Sequence, residues 1–404
     1  MGDEVISSED VDKVRGVVAG LGRAWTPMDV AQALTSIGRV ASDSTVLTVV
    51  EELRRTSSGA GRLEPLLALD GVTDVLVNGP DQVYIDRGRG LELTDTTFTS
   101  PDELRSLAVR LAAGVGRRLD DGCPWVDARL ADGTRVHAIL DVLAKPGTCL
   151  SLRVPARHRM RLDDWVMASS MTAETAHLLE QVVVRKLAFL VTGGTGSGKT
   201  TLLASLLGCV PAHERIVIVE DSRELSPDHE HVVSLEARAA NAEGRGQVSL
   251  TDLVRQSLRM RPDRVVLGEV RGAELRDMLM ALNTGHEGGC GTVHANGVQE
   301  VPARLEALAA LSGMNRPAAH AQVAAAFHLV LHLVRGPKDR RLAQIGVFEH
   351  VDGCAVVTQA LVFDEDLVCT PGPGAERLGD LVGEQTVSRV VQGQGRPRRA
   401  RRAA

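Results

Sequence analysis

Aromatic residues are scarce in this 404-residue chain: three Trp, one Tyr and five Phe amount to 2% of it. Proteins that hold single-stranded nucleic acid stack successive bases on aromatic side chains. The scarcity therefore argues against a base-stacking function, and it predicts a core built from Val, Leu, Ile and Ala.

Long apolar runs are also missing. No segment has the roughly 18 to 20 consecutive apolar residues that a membrane-spanning helix needs. The first residues, MGDEVISSEDVDK, are acidic, whereas a signal peptide is basic and then apolar. The chain has 46 Lys and Arg against 52 Asp and Glu, a net charge of −6. These features predict a cytoplasmic protein.

Paired cysteines are absent as well. The six cysteines are scattered and form no CxxC pair, so the sequence indicates neither a disulfide framework nor a zinc site. We interpret them as free thiols or small buried side chains.

The chain divides into four regions that differ in composition and in hydrophobic pattern. Residues 1–61 carry helical patterns, which predict a small helical appendage, and residues 62–157 mix short β-rich runs with one helix, which predicts an α+β domain. Residues 158–363 alternate helices with aliphatic strands, which predicts a parallel α/β sheet covered on both faces, closed by antiparallel strands over 328–363. Residues 364–404, which end in RPRRARRAA, predict a disordered basic tail.

The strongest motif, GGTGSGKTT, follows the apolar run LAFLVT. It matches the phosphate-binding pattern GxxxxGK[ST] between a strand and a helix. In that pattern the glycines turn backbone N–H groups toward an anion, the lysine contacts the β- and γ-phosphates, and the hydroxyl ligates Mg²⁺. The predicted nucleotide ligands are Gly193, Gly194, Thr195, Gly196, Ser197, Gly198, Lys199, Thr200 and Thr201. Thr200 is also predicted to ligate Mg²⁺.

Two acidic segments end predicted strands. RIVIVEDSREL contains Glu220, Asp221 and Glu224, and RVVLGE ends in Glu269. Ligands bind at the carboxyl edge of open α/β sheets. We therefore predict Glu269 as the general base or water-orienting carboxylate. Glu220 is predicted to be a catalytic carboxylate that either holds Mg²⁺ together with Thr200 or polarises the attacking water.

Residue 268 is Gly, where P-loop ATPases often carry an aspartate. We therefore expect metal binding to depend on Thr200 and on the acidic cluster at 220–224. Further along, NTGHEGGCGTVHAN contains two histidines. We predict that His294 senses the γ-phosphate and that His286 supports it; the spacing does not match the zinc motif HExxH.

These motifs resemble a known family. GGTGSGKTT, EDSREL, LRMRPDRVVLGEVRGAE and NTGHEGGCGTVHAN are similar to motifs of the type II/IV secretion ATPase superfamily, above all of its tight-adherence (Tad/Flp) pilus assembly branch. LEPLLALDGVTDVLVNGPDQVYID, GRRLDDGCPWVDARLADGTRVHAIL and SLRVP resemble the same branch. The resemblance covers about residues 62–350.

The resemblance implies a RecA-like P-loop NTPase domain preceded by a smaller, PAS-like α+β lid domain. It implies a homo-hexameric ring that hydrolyses ATP with Mg²⁺. The ring would lie on the cytoplasmic face of the inner membrane, attached through platform proteins, and would power pilus assembly or secretion.

The resemblance also assigns residues. It places Glu220 in the acidic box, Glu269 as the catalytic carboxylate and His294 in the histidine box. It makes Arg135 of DGTRVH and Arg153 of SLRVP the expected phosphate contacts from the lid, with Arg129 of DARL behind them.

Three alternatives remain open. A DNA-translocating RecA-like ATPase of conjugal transfer is favoured by the arginines of the tail, but the net charge of −6 and the scarcity of aromatics argue against nucleic acid as a partner. A scaffold that binds nucleotide without hydrolysis would not need Glu269. A small-molecule kinase would need an acceptor pocket and would not explain the β-rich domain before the P-loop.

Overall fold

Two units make up the chain, residues 1–157 and residues 158–404. The computed structural model describes residues 8–19, 26–57, 59–88, 90–155, 159–238, 240, 245–336 and 340–393.

The first unit begins with three helices, α1 (Ser8–Ala19), α2 (Pro27–Ser36) and α3 (Asp43–Ser57). Pro27 begins α2 rather than breaking it, because the first helical turn does not need its N–H. The Thr26 side chain caps α2 in a reciprocal capping box with Asp29. Buried aliphatic side chains, among them Val14 and Leu34, pack the helices together.

The rest of the first unit is an antiparallel sheet of six strands in the order β3-β2-β1-β6-β5-β4. Strand residues alternate between buried and exposed positions, as Leu150, Ser151 and Leu152 do in β6. The buried face packs with α5 in one aliphatic core. The elements are α4 (Glu64–Ala68), β1 (Asp74–Asn78), β2 (Val83–Asp86), β3 (Leu91–Leu93), α5 (Pro101–Gly114), β4 (Trp125–Arg129), β5 (Arg135–Ile139) and β6 (Cys149–Arg153).

The second unit is built on a nine-stranded sheet in the order β15-β14-β13-β12-β7-β11-β10-β8-β9. Its elements are α6 (Leu162–Met167), α7 (Ala173–Val184), β7 (Phe189–Gly193), α8 (Lys199–Leu207), β8 (Ile216–Glu220), β9 (Val232–Glu236), α9 (Leu250–Ser257), β10 (Arg264–Leu267), α10 (Glu274–Leu282), β11 (Cys290–Val293), α11 (Val301–Leu311), α12 (Arg316–Ala326), β12 (Leu329–Arg335), β13 (Arg340–Val351), β14 (Cys354–Phe363), β15 (Cys369–Pro371), α13 (Ala375–Val382) and α14 (Glu384–Gln392).

Helices cover both faces of this sheet. One core joins β7 to α6, α7, α8, α13 and α14, and a second core joins the other face to α9, α10, α11 and α12. All five residues of β7 are therefore buried. The continuous aliphatic strands follow from this double cover, since neither face of a central strand meets water.

The closing strands differ in part from the prediction. The sequence predicts antiparallel strands throughout 328–363, and β13 and β14 are antiparallel. Strand β12 instead runs parallel to β7, because the connection from β11 through α11 and α12 returns the chain in the same direction. The parallel part of the sheet therefore extends one strand beyond β7.

The prediction of disorder over 364–404 is wrong for much of that segment. Strand β15 pairs with β14, and α13 and α14 bury Leu378, Val382, Val387 and Val390 in the same core as β7. Spacings of three and four residues between these side chains give each short helix one apolar face. Residues 394–404, with the five arginines of the tail, lie outside the described residues.

None of the helices in the described ranges is long and apolar enough to span a membrane.

Candidate functional site

The P-loop lies between β7, which ends at Gly193, and α8, which begins at Lys199. Gly196 and Gly198 have φ of +70° and +96°, where residues with a Cβ are strained. A Cβ at Gly193 would lie 2.5 Å from the Ser197 hydroxyl oxygen and would overlap the Leu333 carbonyl oxygen. The glycines are therefore required by the backbone path of the loop.

Exposure divides the predicted nucleotide ligands into two groups. Gly194, Thr195 and Gly196 form the exposed crest of the loop, whereas Ser197 and Lys199 are buried. Thr200 and Thr201 are half-buried in the first turn of α8. The N-terminus of α8 thus follows directly on the exposed crest, which is the arrangement that binds phosphate.

Lys199 is held under the loop. Its Nζ donates to the carbonyl oxygens of Gly193 at 3.0 Å and Gly194 at 2.9 Å, and it lies 3.4 Å from His294 Nδ1. Burial lowers the pKa of Lys199 and the charge of Arg271 lowers it further, against the opposite effect of Glu269. The ammonium group is therefore poorly solvated and would gain from an anion beside it.

The strand order places the predicted acidic residues and His294 beside the P-loop. Strands β7, β11, β10 and β8 are adjacent and parallel. Glu220 ends β8, Glu269 follows β10 and His294 follows β11, so all three lie at the carboxyl edge where β7 meets the P-loop. The sequence predicts this grouping from strand ends alone.

Two side chains contact the carboxylate of Glu269. Arg271 Nη2 donates to its Oε2 at 2.5 Å, and His294 Nε2 lies 3.3 Å from its Oε1. Asp221 lies 3.6 Å from the same guanidinium. Two contacts on opposite oxygens fix the orientation of the Glu269 carboxylate at the edge of the sheet.

The surroundings of His294 favour its neutral form. Burial lowers its pKa, and the positive charge of Lys199 lowers it further, while Glu269 has the opposite effect. Because an ammonium can only donate, Nδ1 must accept from Lys199 and Nε2 must carry the proton. His294 therefore joins the P-loop lysine to the carboxylate of Glu269.

Glu220 occupies the space beside Gly268. Its Oε1 accepts from the backbone N–H groups of Glu224 and Leu225, both at 3.0 Å, and the residue is buried. A Cβ on Gly268 would lie 2.5 Å from Glu220 Cγ. Glycine at 268 thus leaves room for the side chain of Glu220, which lies at the end of the neighbouring strand β8.

Two residues at this edge offer oxygen atoms of the kind that binds Mg²⁺. Within the described ranges no cluster of three His, Cys, Asp or Glu side chains could hold a metal ion. Mg²⁺ is usually bound by one or two protein oxygens together with phosphates and waters. The Thr200 hydroxyl and the Glu220 carboxylate are donors of that kind.

His286 does not lie at this edge, so the prediction that it supports His294 is wrong. It precedes β11, whereas His294 follows β11, and the two residues stand at opposite edges of the sheet. There Gly288 packs directly on the guanidinium of buried Arg264, which donates to Glu214 at 2.7 Å. Closeness in sequence had suggested a shared role that the strand between the two histidines prevents.

The predicted arginines lie in one row in the first unit. Arg129 faces Arg135 across β4 and β5, and Arg135 faces Arg153 across β5 and β6. Directly opposite residues share a face of a sheet, and like charges there destabilise it. Arg135 and Arg153 are exposed. Guanidinium groups are the side chains that most often bind phosphate oxygens.

Sequence reasoning missed other residues around the P-loop. Arg340 Nε donates to the Gly196 carbonyl oxygen at 2.9 Å from 144 positions away. A cavity of about 740 Å³ opens beside Gly193 and Gly194 and is also lined by His294 and residues at the start of α11. No local sequence signal marks these contacts, since they depend on how distant strands and helices pack.

Comparison with known proteins identifies the family. Residues 56–363 match the family model described as type II/IV secretion system protein. The chain belongs to this family. The superfamily expected from the sequence is therefore confirmed, and the match spans both the arginine row and the P-loop domain.

Individual relatives agree with the family. A Mycobacterium tuberculosis protein, named provisionally for conjugal transfer, is 52% identical over 318 residues, 77% of this chain and 90% of its own length. The type IV secretion system protein PtlH of Bordetella pertussis is 35% identical over 259 residues, 58% of this chain and 75% of its own.

A solved structure supports the fold. The pilus retraction motor PilT with bound ADP is similar with a TM-score of 0.51 and 18% identity, over 81% of this chain and 87% of that chain. The predicted fold class, a RecA-like P-loop domain preceded by a smaller α+β domain, is confirmed.

Proposed function

We propose that this protein is an ATP-hydrolysing ring motor that powers type II/IV-like secretion, or assembly of a Tad/Flp-type pilus, across the cytoplasmic membrane. Membership of the secretion family supports a motor of this kind. One observation carries the proposal: a P-loop whose lysine contacts His294, which in turn lies beside Glu269. A loop that only bound nucleotide would not need an oriented carboxylate next to it.

The residues of the edge have distinct roles in this proposal. The amides of the P-loop and Lys199 bind the phosphates, and Glu269 accepts a proton from the attacking water. His294 couples the two, since its Nδ1 accepts from Lys199 and its Nε2 faces Glu269. When bound, Mg²⁺ would neutralise phosphate charge, and Thr200 and Glu220 are the residues that would hold it.

Further parts of the proposal extend beyond the second unit. Arg135 and Arg153, with Arg129 behind them, supply guanidinium groups to the phosphates and stabilise charge in the transition state. The protein works as a homo-hexamer, bound peripherally to the membrane through platform proteins. The pilus branch is supported by the motifs of the sequence, whereas the comparisons support the family as a whole.

A second candidate is a motor of conjugal transfer, including one that translocates DNA. Two relatives favour it by name: the Mycobacterium tuberculosis protein and the conjugal transfer protein TrbB of Rhizobium radiobacter, which is 29% identical over 71% of this chain. The net charge of −6 argues against a DNA-binding motor, since such proteins carry a basic footprint.

ATP hydrolysis measured with and without DNA separates the two candidates. We expect the rate to be unchanged by single- or double-stranded DNA, and DNA affinity to be weak and lost as salt is raised. A chain shortened to residues 1–393 controls for the arginines of the tail. Strong stimulation of hydrolysis by DNA, lost in the shortened chain, would contradict the secretion motor and favour the DNA translocase.

A further inference from the structure

The wall of the cavity beside the P-loop includes an arginine that the proposed mechanism does not use. Gly193, Gly194 and His294 line the cavity together with residues of α11, among them Arg304. Its volume is about 740 Å³. The cavity therefore adjoins both the start of the P-loop and His294, which lies beside Glu269.

Small side chains keep this space open. Ala303 and Ala307, four residues apart on α11, line the cavity together with Arg304. Residues at this spacing lie on one face of a helix. Arg304 is thus the one long side chain that this turn of α11 contributes to the wall.

Arg304 differs from the neighbouring charged side chains in its hydrogen bonds and ion pairs. Within the part of the chain that the structure describes, it makes no hydrogen bond or ion pair, and it is exposed. Glu300, which also lines the cavity, accepts from the Asn296 N–H at 3.2 Å and from its side-chain amide at 3.1 Å. Arg271 is engaged by Glu269.

Arg304 is close enough to act electrostatically on the site. Burial is the main cause that lowers the pKa of His294, followed by the charge of Lys199, and the charge of Arg304 adds to the same effect. A guanidinium binds phosphate oxygens through a fork of N–H donors, which makes arginine the usual residue for this contact.

We propose that Arg304 is a further phosphate-binding residue of the site, which contacts the terminal phosphate of ATP across this cavity. The inference rests on the proposed ATP hydrolysis. ADP has no terminal phosphate, so the contact distinguishes ATP from ADP. After water has displaced ADP from the terminal phosphate, Arg304 remains beside the inorganic phosphate that is released.

The test measures binding of ADP and of a nonhydrolysable ATP analogue by titration calorimetry, with Mg²⁺ and the full-length protein. In Arg304→Gln we expect the affinity for the analogue to fall about tenfold or more, the scale of one charged hydrogen bond. The affinity for ADP should change less than about twofold. Arg304→Lys keeps the charge and loses the fork, and should give an intermediate loss for the analogue.

Arg276→Gln is the matched control, because Arg276 is an exposed arginine on α10 outside the cavity wall. It should leave both affinities unchanged, and an equal Tm shows that each variant is folded. An unchanged affinity of Arg304→Gln for the analogue, or an equal loss for both nucleotides, would overturn the inference alone. A wild-type protein that binds neither nucleotide would overturn the proposed function and the inference with it.

Discussion

Glu269, the proposed base, has a contact on each of its carboxylate oxygens. Arg271 and His294 contact its two oxygens at 2.5 and 3.3 Å. Glu269→Gln keeps the shape of the side chain but removes the base. We expect the variant to bind ATP and to turn over at least ~10²-fold more slowly, as measured by phosphate release. Wild-type turnover in this variant would exclude Glu269 as the base.

Gly268 is required by the side chain of Glu220. Because a Cβ there would lie 2.5 Å from Glu220 Cγ, we expect Gly268→Ala to displace Glu220, lower the free energy of unfolding by about 1–3 kcal/mol and weaken Mg²⁺-dependent hydrolysis. The measurements are chemical denaturation and hydrolysis against Mg²⁺ concentration.

Gly114→Ala is the control for this substitution, since a Cβ there would meet nothing within 4 Å. It should leave both measurements close to wild type. If Gly268→Ala behaved like Gly114→Ala, the close packing of Glu220 on residue 268 would be contradicted.

Single residues could be predicted from the sequence where their signal is local. The P-loop residues follow from one continuous motif, and Glu220, Glu269 and His294 follow from the ends of strands. Arg340 and Arg304 could not be found this way, because their neighbours in space are distant in sequence. His286 was misplaced for the opposite reason, since eight positions in sequence cross the full height of the sheet.

At the scale of elements, α13 and α14 are integral to the second unit. Leu378 in α13 is fully buried in the core that contains β7. We expect Leu378→Ala to lower the free energy of unfolding by about 2–5 kcal/mol, through lost burial and the cavity left behind. Thermal or urea unfolding of the full chain measures the effect.

Gln385→Ala in α14 is the matched control, because Gln385 is exposed. This substitution should change the free energy of unfolding by no more than about 0.5 kcal/mol. Equal stability of the two variants would show that these helices do not contribute to the core.

The composition around α13 and α14 explains why the sequence did not predict these two helices. Glycines and prolines around 371–374 and the arginines of 396–402 suggest an unstructured tail. Two helices of eight and nine residues lie between them, each with one apolar face. Helices this short depend on packing against a core rather than on their own propensity, and the sequence alone does not show that core.

At the scale of the whole molecule, we propose that the arginine row of the first unit contributes to ATP hydrolysis. Because guanidinium groups stabilise charge that develops on phosphate oxygens, we expect Arg135→Ala and Arg153→Ala each to lower turnover at least ~10²-fold. ATP binding should be retained. Arg117, an exposed arginine three residues beyond α5, lies outside the row, and Arg117→Ala should turn over like wild type.

Turnover that is unaffected in Arg135→Ala and in Arg153→Ala would remove the row from the proposed mechanism. It would leave the P-loop domain as the whole site.

The order of domains and the sheet of the second unit were predictable, since both follow from apolar patterns. The row was not, because facing positions on three strands depend on the register of the sheet.

Hydrolysis of ATP by the P-loop is the central claim, and phosphate release by purified full-length protein tests it most directly. With ATP and Mg²⁺ we expect steady release by the wild type. Lys199→Ala, with an unchanged Tm to show that it is folded, should fall to background, because the cation that meets the phosphates is gone. Phosphate release by Lys199→Ala at the wild-type rate, or none by the wild type, would contradict the account.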